Sequence, residues 1–297
     1  MISVKLRRAL EMIKHMLYKN TQAYIEMETG RWVLIGNVNY HETLQIEPCI
    51  NPQVESLFIK ETEPLDYTQL PFHHLIINTT KNCNLQCKYC YFSAGEGKYT
   101  DNISPELIIE AITKSLKLVP PHYKLTVLFQ GGEALMNFNS IKTAVESVDS
   151  TRILYQIQSN GTLFNREIAR FMKKYKFRVS LSLDGVSLED NKNRFGGNKK
   201  LFQNFLDSTR LLREEGNDFG IITVVNRQSI SHLLELIDFY YTLDVHKFAF
   251  NLVWLIGRAD DNLMVENQML VQGMMQVFEK LWGKRWNIYR RARIAFC

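Results

Sequence analysis

The amino-acid sequence predicts an α/β protein whose parallel strands form an open (β/α)6 partial barrel. From His74 onward, six short apolar runs suited to strands alternate with longer stretches whose apolar residues recur at helical spacing. This alternation favours a parallel sheet. Glycines, cysteines or polar residues follow several runs directly, and in such barrels the chemistry sits at the C-terminal ends of the strands. The residues after each strand are therefore the candidate functional residues.

The first 70 residues lack the alternating strand and helix pattern of the rest of the chain. Residues 4–17 have apolar side chains at helical spacing, and the runs AYIEME and RWVLIGNV, joined by Thr29 and Gly30, suggest a hairpin. The stretch EPLDYTQLPF, with two prolines, is typical of a linker. We therefore expect a helix-plus-hairpin extension over residues 1–70 and a barrel core over residues 71–282.

The core elements are predicted from short-range patterns. Ser104 before Pro105 marks the start of a helix, and Asn165 is placed to cap the next one. Two later helices are expected over residues 229–243 and 267–282. The six predicted strands are HLIINTT (74–80), KLTVLFQ (124–130), RILYQIQ (152–158), FRVSLSLD (177–184), FGIITVV (219–225) and KFAFNLVW (247–254).

Three of the five cysteines lie in CNLQCKYC, residues 83–90, directly after the first predicted strand. Three thiolates suit a site that keeps a coordination position open, because closed structural zinc sites normally have four ligands. An iron–sulfur cluster with one open iron fits, since thiolates are the usual cluster ligands. A zinc site closed by Cys49, Cys297 or a histidine is the alternative. His73 and His74 precede the strand, and about 20 Å of extended chain separates them from the cysteines.

This loop resembles the CxxxCxxC motif of the radical S-adenosylmethionine (radical SAM) enzymes, with Tyr89 as the aromatic residue before the third cysteine. The resemblance implies a [4Fe-4S] cluster on Cys83, Cys87 and Cys90, whose open iron binds the amino and carboxylate groups of S-adenosylmethionine. It also implies the chemistry, in which one electron cleaves the sulfonium to give a 5'-deoxyadenosyl radical that abstracts a hydrogen from the substrate.

A glycine pair follows the second predicted strand in FQGGEAL. Such a pair is often only a turn, although glycines also let a backbone come close to a ligand. Here the stretch resembles the GGE motif of the same family. The resemblance implies that Gly131, Gly132 and Glu133 receive the methionine amino group.

Polar residues on the fourth predicted strand indicate a polar ligand. In RVSLSLDG, Ser180, Ser182 and Asp184 share a face that a parallel strand normally buries, and burying unpaired polar groups costs free energy. An exposed edge strand is the alternative. The chain most resembles anaerobic sulfatase-maturating and peptide-modifying enzymes, in which residues matching Ser182 and Arg194 contact the S-adenosylmethionine carboxylate and its surroundings. Further candidates for the cofactor site are Ser159, Asn160 and, against the adenine, Leu252.

The resemblance implies an oxidoreductase that modifies a peptide or protein side chain, by a thioether cross-link or another oxidation in peptide maturation. Formylglycine formation in a sulfatase is the alternative. Relatives of the SPASM or twitch type carry further cysteines in an auxiliary domain, and Cys297 falls about where the first of these is expected. Residues 283–297 are therefore expected to begin a truncated auxiliary segment. A truncated, non-catalytic remnant that binds peptide or an iron–sulfur cluster is the rival from another class.

Composition limits the partners. The net charge is +5, but the basic residues are spread along the chain, so nucleic acid is not indicated. No apolar run reaches the length of a membrane span, and the N-terminus has no continuous apolar signal region. We expect a cytoplasmic protein. Its expected partners are a peptide or protein substrate and an electron donor such as flavodoxin or ferredoxin.

Overall fold

The computed structural model describes residues 13–18, 21–26, 32–36, 73–95, 101–148, 151–283 and 293–296. The chain divides into two compact units, Met1–Leu70 and Pro71–Cys297. The functional assignment of residues 1–70, 71–282 and 283–297 to an extension, a core and an auxiliary segment stays a prediction.

The first unit contains a three-stranded antiparallel sheet. Strand β1 (Ile13–Tyr18) pairs with β2 (Thr21–Glu26), which pairs with β3 (Trp32–Gly36). The β2–β3 pair is the predicted hairpin. The predicted helix over residues 4–17 is wrong from residue 13 onward, because pairing along the whole of β2 outweighs a weak helical spacing. Residues 4–12 lie outside the described residues.

The second unit contains a parallel sheet of seven strands that follow one another in chain order. The fold-class prediction is confirmed, because the first six are the predicted strands and the two outermost strands do not pair with each other. The strands are β4 (His74–Asn78), β5 (Leu125–Gln130), β6 (Ile153–Ser159), β7 (Arg178–Ser182), β8 (Phe219–Val225), β9 (Lys247–Leu252) and β10 (Arg293–Phe296).

Strand β10 was not predicted. The sequence analysis assigned these residues to an auxiliary segment, but they pair in parallel with β9, from Arg293 opposite Lys247 to Phe296 opposite Phe250. A run of four residues in a basic stretch shows no clear strand period. Its conformation follows from backbone pairing with a neighbour that lies far away in sequence.

Helices follow most of the strands. The two predicted caps are confirmed: Ser104 Oγ accepts from the backbone N–H of Leu107 at 3.3 Å, and Asn165 Oδ1 accepts from that of Ile168 at 2.9 Å. The described helices are α1 (Pro105–Leu118), α2 (Phe138–Ser147), α3 (Arg166–Lys174), α4 (Lys192–Phe195), α5 (Lys199–Glu214), α6 (Leu233–Thr242) and α7 (Asn267–Gly283).

The two faces of the sheet have different environments because side chains alternate along each strand. On one face, residues such as Phe129, Ile157 and Ile221 are buried in one apolar cluster with residues of the helices. On the other face, residues such as Gln158 and Ser182 line a cavity. The apolar face, packed against the helices, therefore holds the strands in place, and the candidate site lies on the opposite face at the strand ends.

Within the described part of the chain, no helix is both long enough and apolar enough to cross a bilayer.

Candidate cofactor site

One cavity of about 490 Å³ lies where β5, β6, β7 and β9 end. Most residues predicted to bind the cofactors line it, although they come from six separate stretches of sequence. The exception is Glu133. The predicted residues that line the cavity are Cys83, Cys87, Tyr89, Cys90, Gly131, Gly132, Ser159, Asn160, Ser182, Arg194 and Leu252.

The glycine pair after β5 lets the cysteine loop pack against that strand. A Cβ atom on Gly132 would lie 2.1 Å from the carbonyl oxygen of Asn82, and one on Gly131 would lie 2.4 Å from that of Thr80. The backbone N–H of Gly132 donates to Thr80 O at 2.8 Å, and the N–H of Glu133 donates to Asn82 O at 2.8 Å. These contacts give the glycines a structural role, and their predicted contact with the methionine amino group stays a prediction.

The cysteine thiols are largely withdrawn from solvent. Burial raises the pKa of Cys83 to about 12 and that of Cys87 to about 11. Both thiols are therefore protonated in the metal-free chain near neutral pH, and metal binding must displace their protons. Cys83 Sγ accepts from the backbone N–H of Leu85 at 3.4 Å and from Asn160 Nδ2 at 3.9 Å. Two donors suit a thiolate at this position.

The donor set suits an iron–sulfur cluster, because thiolates are the usual cluster ligands. Among the residues with described side chains, no three His, Cys, Asp or Glu groups are arranged to hold one metal ion. The three cysteines instead border a common cavity, and a cluster takes each thiolate at a different iron. His73 and His74, considered for a zinc site, lie at the start of β4, away from the cysteine loop. Cys49 and Cys297 lie outside the described residues.

Glu133 is buried beneath the cavity. Its Oε1 accepts from Ser159 Oγ at 2.8 Å and from the backbone N–H of Leu135 at 3.1 Å, and its Oε2 accepts from the N–H of Asn160 at 2.7 Å. Burial raises the pKa of Glu133, and these three hydrogen bonds oppose the rise. In this structure the carboxylate holds the loop after β6. Its direct contact with the methionine amino group stays a prediction.

Arg194 belongs to a buried ion pair. Its Nε donates to Asp184 Oδ2 at 3.1 Å, and its Nη2 donates to Asp184 Oδ1 at 2.9 Å. The hydroxyl of Tyr89 also donates to Asp184 Oδ2, and the backbone N–H of Val224 donates to Oδ1 at 3.0 Å. Burial disfavours the Arg194 charge and is the largest single effect, but Asp184 together with Tyr89 and Cys87 outweighs it and keeps the pKa of Arg194 well above its usual value. Arg194 is therefore buried and paired, although it lies in the segment that connects β7 to β8.

Asp184 is a site residue that the sequence analysis did not assign. The signal was present, because the residue stood with Ser180 and Ser182 on the polar face of the fourth strand. Its role was missed because the pattern shows a polar face and does not show the partner. The guanidinium that it holds also lowers the pKa of Cys87 against the larger effect of burial. Asp184 thus keeps a positive charge beside the cysteine loop.

Arg258, after β9, was also missed. Its Nε donates to the carbonyl oxygen of Cys87 at 3.0 Å, its Nη1 to that of Ala94 at 2.6 Å, and its backbone N–H to that of Cys90 at 3.1 Å. The preceding Gly257 has φ +69°, and a Cβ atom there would lie 2.2 Å from Cys90 O. The loop after β9 therefore holds the cysteine loop through three of its carbonyl groups.

The fold and the site together define a class of protein, an open α/β barrel with a three-cysteine loop after its first strand and a cavity at the strand ends. The profile of the Radical SAM superfamily matches residues 77–240, more than half of the chain. The chain therefore belongs to the Radical SAM superfamily, as predicted. This family uses a [4Fe-4S] cluster and S-adenosylmethionine, the two cofactors predicted from the sequence.

The chain aligns with only part of the length of its curated relatives. An uncharacterised protein of Methanocaldococcus jannaschii is 31% identical over 184 residues, which cover 61% of this chain and 62% of that protein. A cysteine-type anaerobic sulfatase-maturating enzyme of Clostridium novyi is 29% identical over 187 residues, which cover 59% of this chain and 50% of the enzyme. The match thus spans half to three-fifths of these relatives.

Solved structures share the fold. Native anSMEcpe with bound AdoMet and Cp18Cys peptide has a TM-score of 0.64 and 22% identity, over 75% of this chain and 63% of that one. Streptococcus suis SuiB bound to the precursor peptide SuiA has a TM-score of 0.62 and 16% identity, over 96% of this chain and 71% of that one. At these identities the likeness concerns the fold alone.

Proposed function

We propose that the chain binds a [4Fe-4S] cluster on Cys83, Cys87 and Cys90, binds S-adenosylmethionine in the adjoining cavity, and modifies a side chain of a peptide or protein. The main support is the convergence of the predicted residues of six sequence stretches on one cavity of about 490 Å³. When bound, the cluster supplies an electron to S-adenosylmethionine, and this generates the radical that removes a hydrogen from the substrate.

The residues of the chain bind and orient the cofactor. Cys83, Cys87 and Cys90 would hold the cluster, and the cavity beside them would take the amino and carboxylate groups of the ligand. Asp184 holds Arg194 by two hydrogen bonds, so a guanidinium lines the cavity in a fixed position and suits that carboxylate. Ser182 supplies a hydroxyl at the same strand end. Leu252, which is 38% exposed, offers an apolar surface for the adenine.

The peptide substrate is supported by the relatives. The C. novyi enzyme is named as a sulfatase maturase, and two structures with the same fold hold peptides. A thioether cross-link or another oxidation of a peptide remains the leading reaction, and formylglycine formation in a sulfatase is the second candidate, favoured by the C. novyi relative. An electron donor such as flavodoxin or ferredoxin and a cytoplasmic location stay predictions.

The deciding experiment is anaerobic reconstitution with iron and sulfide, followed by an assay for 5'-deoxyadenosine from S-adenosylmethionine under reductant. We expect about four irons per chain and product from the wild-type chain, and neither from the variant with all three cysteines replaced by alanine. A loaded cluster without product would favour the non-catalytic remnant. One tightly bound zinc ion without iron would overturn the metal assignment.

The two substrate candidates differ in the product on the peptide. A sulfatase-derived peptide with a central cysteine and a cysteine-rich peptide without a sulfatase motif are incubated separately with the loaded protein. Mass spectrometry then detects either conversion of cysteine to formylglycine or loss of two hydrogens with a new cross-link. Modification of neither peptide, with 5'-deoxyadenosine still formed, would contradict a peptide substrate of these two kinds and leave the cofactor assignment intact.

A further inference from the structure

The loop after β6 places a closed ring of hydrogen bonds beside one cluster ligand. Asn160 Nδ2 donates to Asn84 Oδ1 at 2.8 Å, and Asn84 Nδ2 donates to Thr162 Oγ1 at 2.7 Å. Thr162 Oγ1 donates in turn to Asn160 Oδ1 at 2.7 Å, which closes the ring. The only other contact of the Asn160 amide nitrogen among the described residues is with Cys83 Sγ, at 3.9 Å.

The orientation of the Asn160 amide follows from one backbone group. The N–H of Thr162 donates to Asn160 Oδ1 at 3.0 Å. A backbone N–H can only donate, so the side-chain atom that faces it must be the oxygen. The amide nitrogen must then face Asn84 and Cys83. In the contact between Asn160 Nδ2 and Cys83 Sγ, the amide nitrogen is therefore the donor and the sulfur is the acceptor.

The hydrogen bonds of Asn160 within the protein already use most of its donors and acceptors, so few are left for a ligand. Its Oδ1 accepts two hydrogen bonds, both from Thr162, and a carbonyl oxygen has two lone pairs. Its two amide hydrogens are directed to Asn84 Oδ1 and Cys83 Sγ. Its backbone is held as well, because its N–H donates to Glu133 Oε2 at 2.7 Å. Asn160 is thus a fixed donor to the sulfur, although the sequence placed it among the contacts of the cofactor.

We propose that Asn160 is a positioning residue that donates a hydrogen bond to the Cys83 thiolate and raises the reduction potential of the cluster. The proposal rests on the proposed function, which puts the cluster on Cys83. Hydrogen bonds to cluster sulfurs help to set the potential, because they stabilise the reduced state, in which the cluster carries more negative charge. The ring through Asn84 and Thr162 keeps this donor in place in both redox states.

The test is a redox titration of the reconstituted protein without S-adenosylmethionine, monitored by electron paramagnetic resonance. In Asn160→Leu, which has a similar volume and no donor, we expect a full iron load and a more negative midpoint potential. Asn160→Asp keeps an oxygen towards Thr162, removes the N–H towards Cys83 and adds a negative charge, so a shift in the same direction and at least as large is expected. It also provides the test if the leucine variant does not load iron.

Two controls isolate the hydrogen bond. Thr162→Ser keeps the hydroxyl that closes the ring, so its midpoint should equal that of the wild type. Asn165→Ala removes the cap of α3 and lowers stability in the same region, away from the sulfur, so its midpoint should also be unchanged. Midpoints that shift in Asn165→Ala as much as in Asn160→Leu would mean that the effect is structural, and this would overturn the proposal.

The outcomes separate this inference from the proposed function. Fully loaded Asn160→Leu and Asn160→Asp with unchanged midpoints overturn the role of Asn160 and leave the cluster assignment standing. Weaker binding of S-adenosylmethionine with an unchanged midpoint would make Asn160 a ligand contact, and this also overturns the proposal. A wild-type chain that takes up no iron refutes the proposed function, and the inference with it.

Discussion

Replacing Asp184 with asparagine tests whether the buried ion pair is essential to the site. The side chains of Arg194 and Asp184 are 7% and 1% exposed, and the carboxylate accepts from Arg194 twice, from Tyr89 and from Val224. Asparagine keeps the volume of the side chain but has only one acceptor oxygen. Its amide NH2 replaces the other carboxylate oxygen and faces the N–H or O–H groups that donate to that oxygen in the wild type. The guanidinium also loses its counter-charge in a buried position.

Removing one partner of a buried ion pair costs about 3–5 kcal/mol of the free energy of unfolding. That is a large part of the roughly 5–15 kcal/mol available to a typical domain. Urea unfolding of the metal-free chain measures the loss as a lower midpoint at unchanged denaturant dependence. The matched control is Asp207→Asn, whose exposed pair with Arg210 should contribute about 0–1 kcal/mol.

The double variant Asp184→Leu, Arg194→Met separates pairing from burial. Replacing both charges with apolar side chains is often neutral or stabilising, because no buried charge is left unpaired. Here the exchange also leaves the Tyr89 hydroxyl and the Val224 N–H without their acceptor. The double variant should therefore recover only part of the stability that Asp184→Asn loses, and it should still lose S-adenosylmethionine binding. The reasoning is refuted if Asp184→Asn costs no more than the exposed control, or if the double variant is less stable than the single one.

Two further predictions concern the neighbours of the cysteine loop. Gly257→Ala should lower the iron retained per chain after gel filtration, because its Cβ would lie 2.2 Å from Cys90 O. The control is Gly196→Ala, which has a similar φ of +60° but no atom within 4 Å of the added Cβ and should retain iron normally. Equal loss of iron in both variants would refute the steric argument. Burial raises the pKa of Glu133, so its contribution to stability is complete below the ordinary value of 4.5 and is lost as the pH rises through the raised value. The unfolding free energy of the wild type relative to Glu133→Gln should therefore fall with rising pH, and a constant difference would count against this.

The features that the sequence predicted correctly are those set by residues close together in the chain. The six central strands follow from runs of apolar residues, and the caps at Ser104 and Asn165 follow from side chains that bond within three residues. The cysteine spacing predicted the metal loop because its ligands lie within eight residues. In each case the residues that decide the structure are close together in the chain.

Features that depend on distant partners were missed. Strand β10 forms because it pairs with β9, where Arg293 lies opposite the distant Lys247. Arg258 contacts Cys87 across 171 positions of sequence, so nothing near it marks it as a site residue. The buried position of Glu133 likewise follows from contacts with the next strand, since Ser159 lies 26 positions away.

The cysteine loop takes its shape from segments that are far apart in the chain. The stretch after β5 donates backbone N–H groups to the carbonyl oxygens of Thr80 and Asn82, and Asn193 O of helix α4 accepts from the N–H of Lys88 at 2.9 Å. Arg258, after β9, donates to the carbonyl oxygen of Cys87. The eight-residue motif is therefore held in this form by residues that follow β5, β7 and β9. Strand β9 and the loop after it also supply one wall of the cavity, including Leu252 and Trp254. The loop after β9 thus both lines the cavity and contacts the cysteine loop through Arg258.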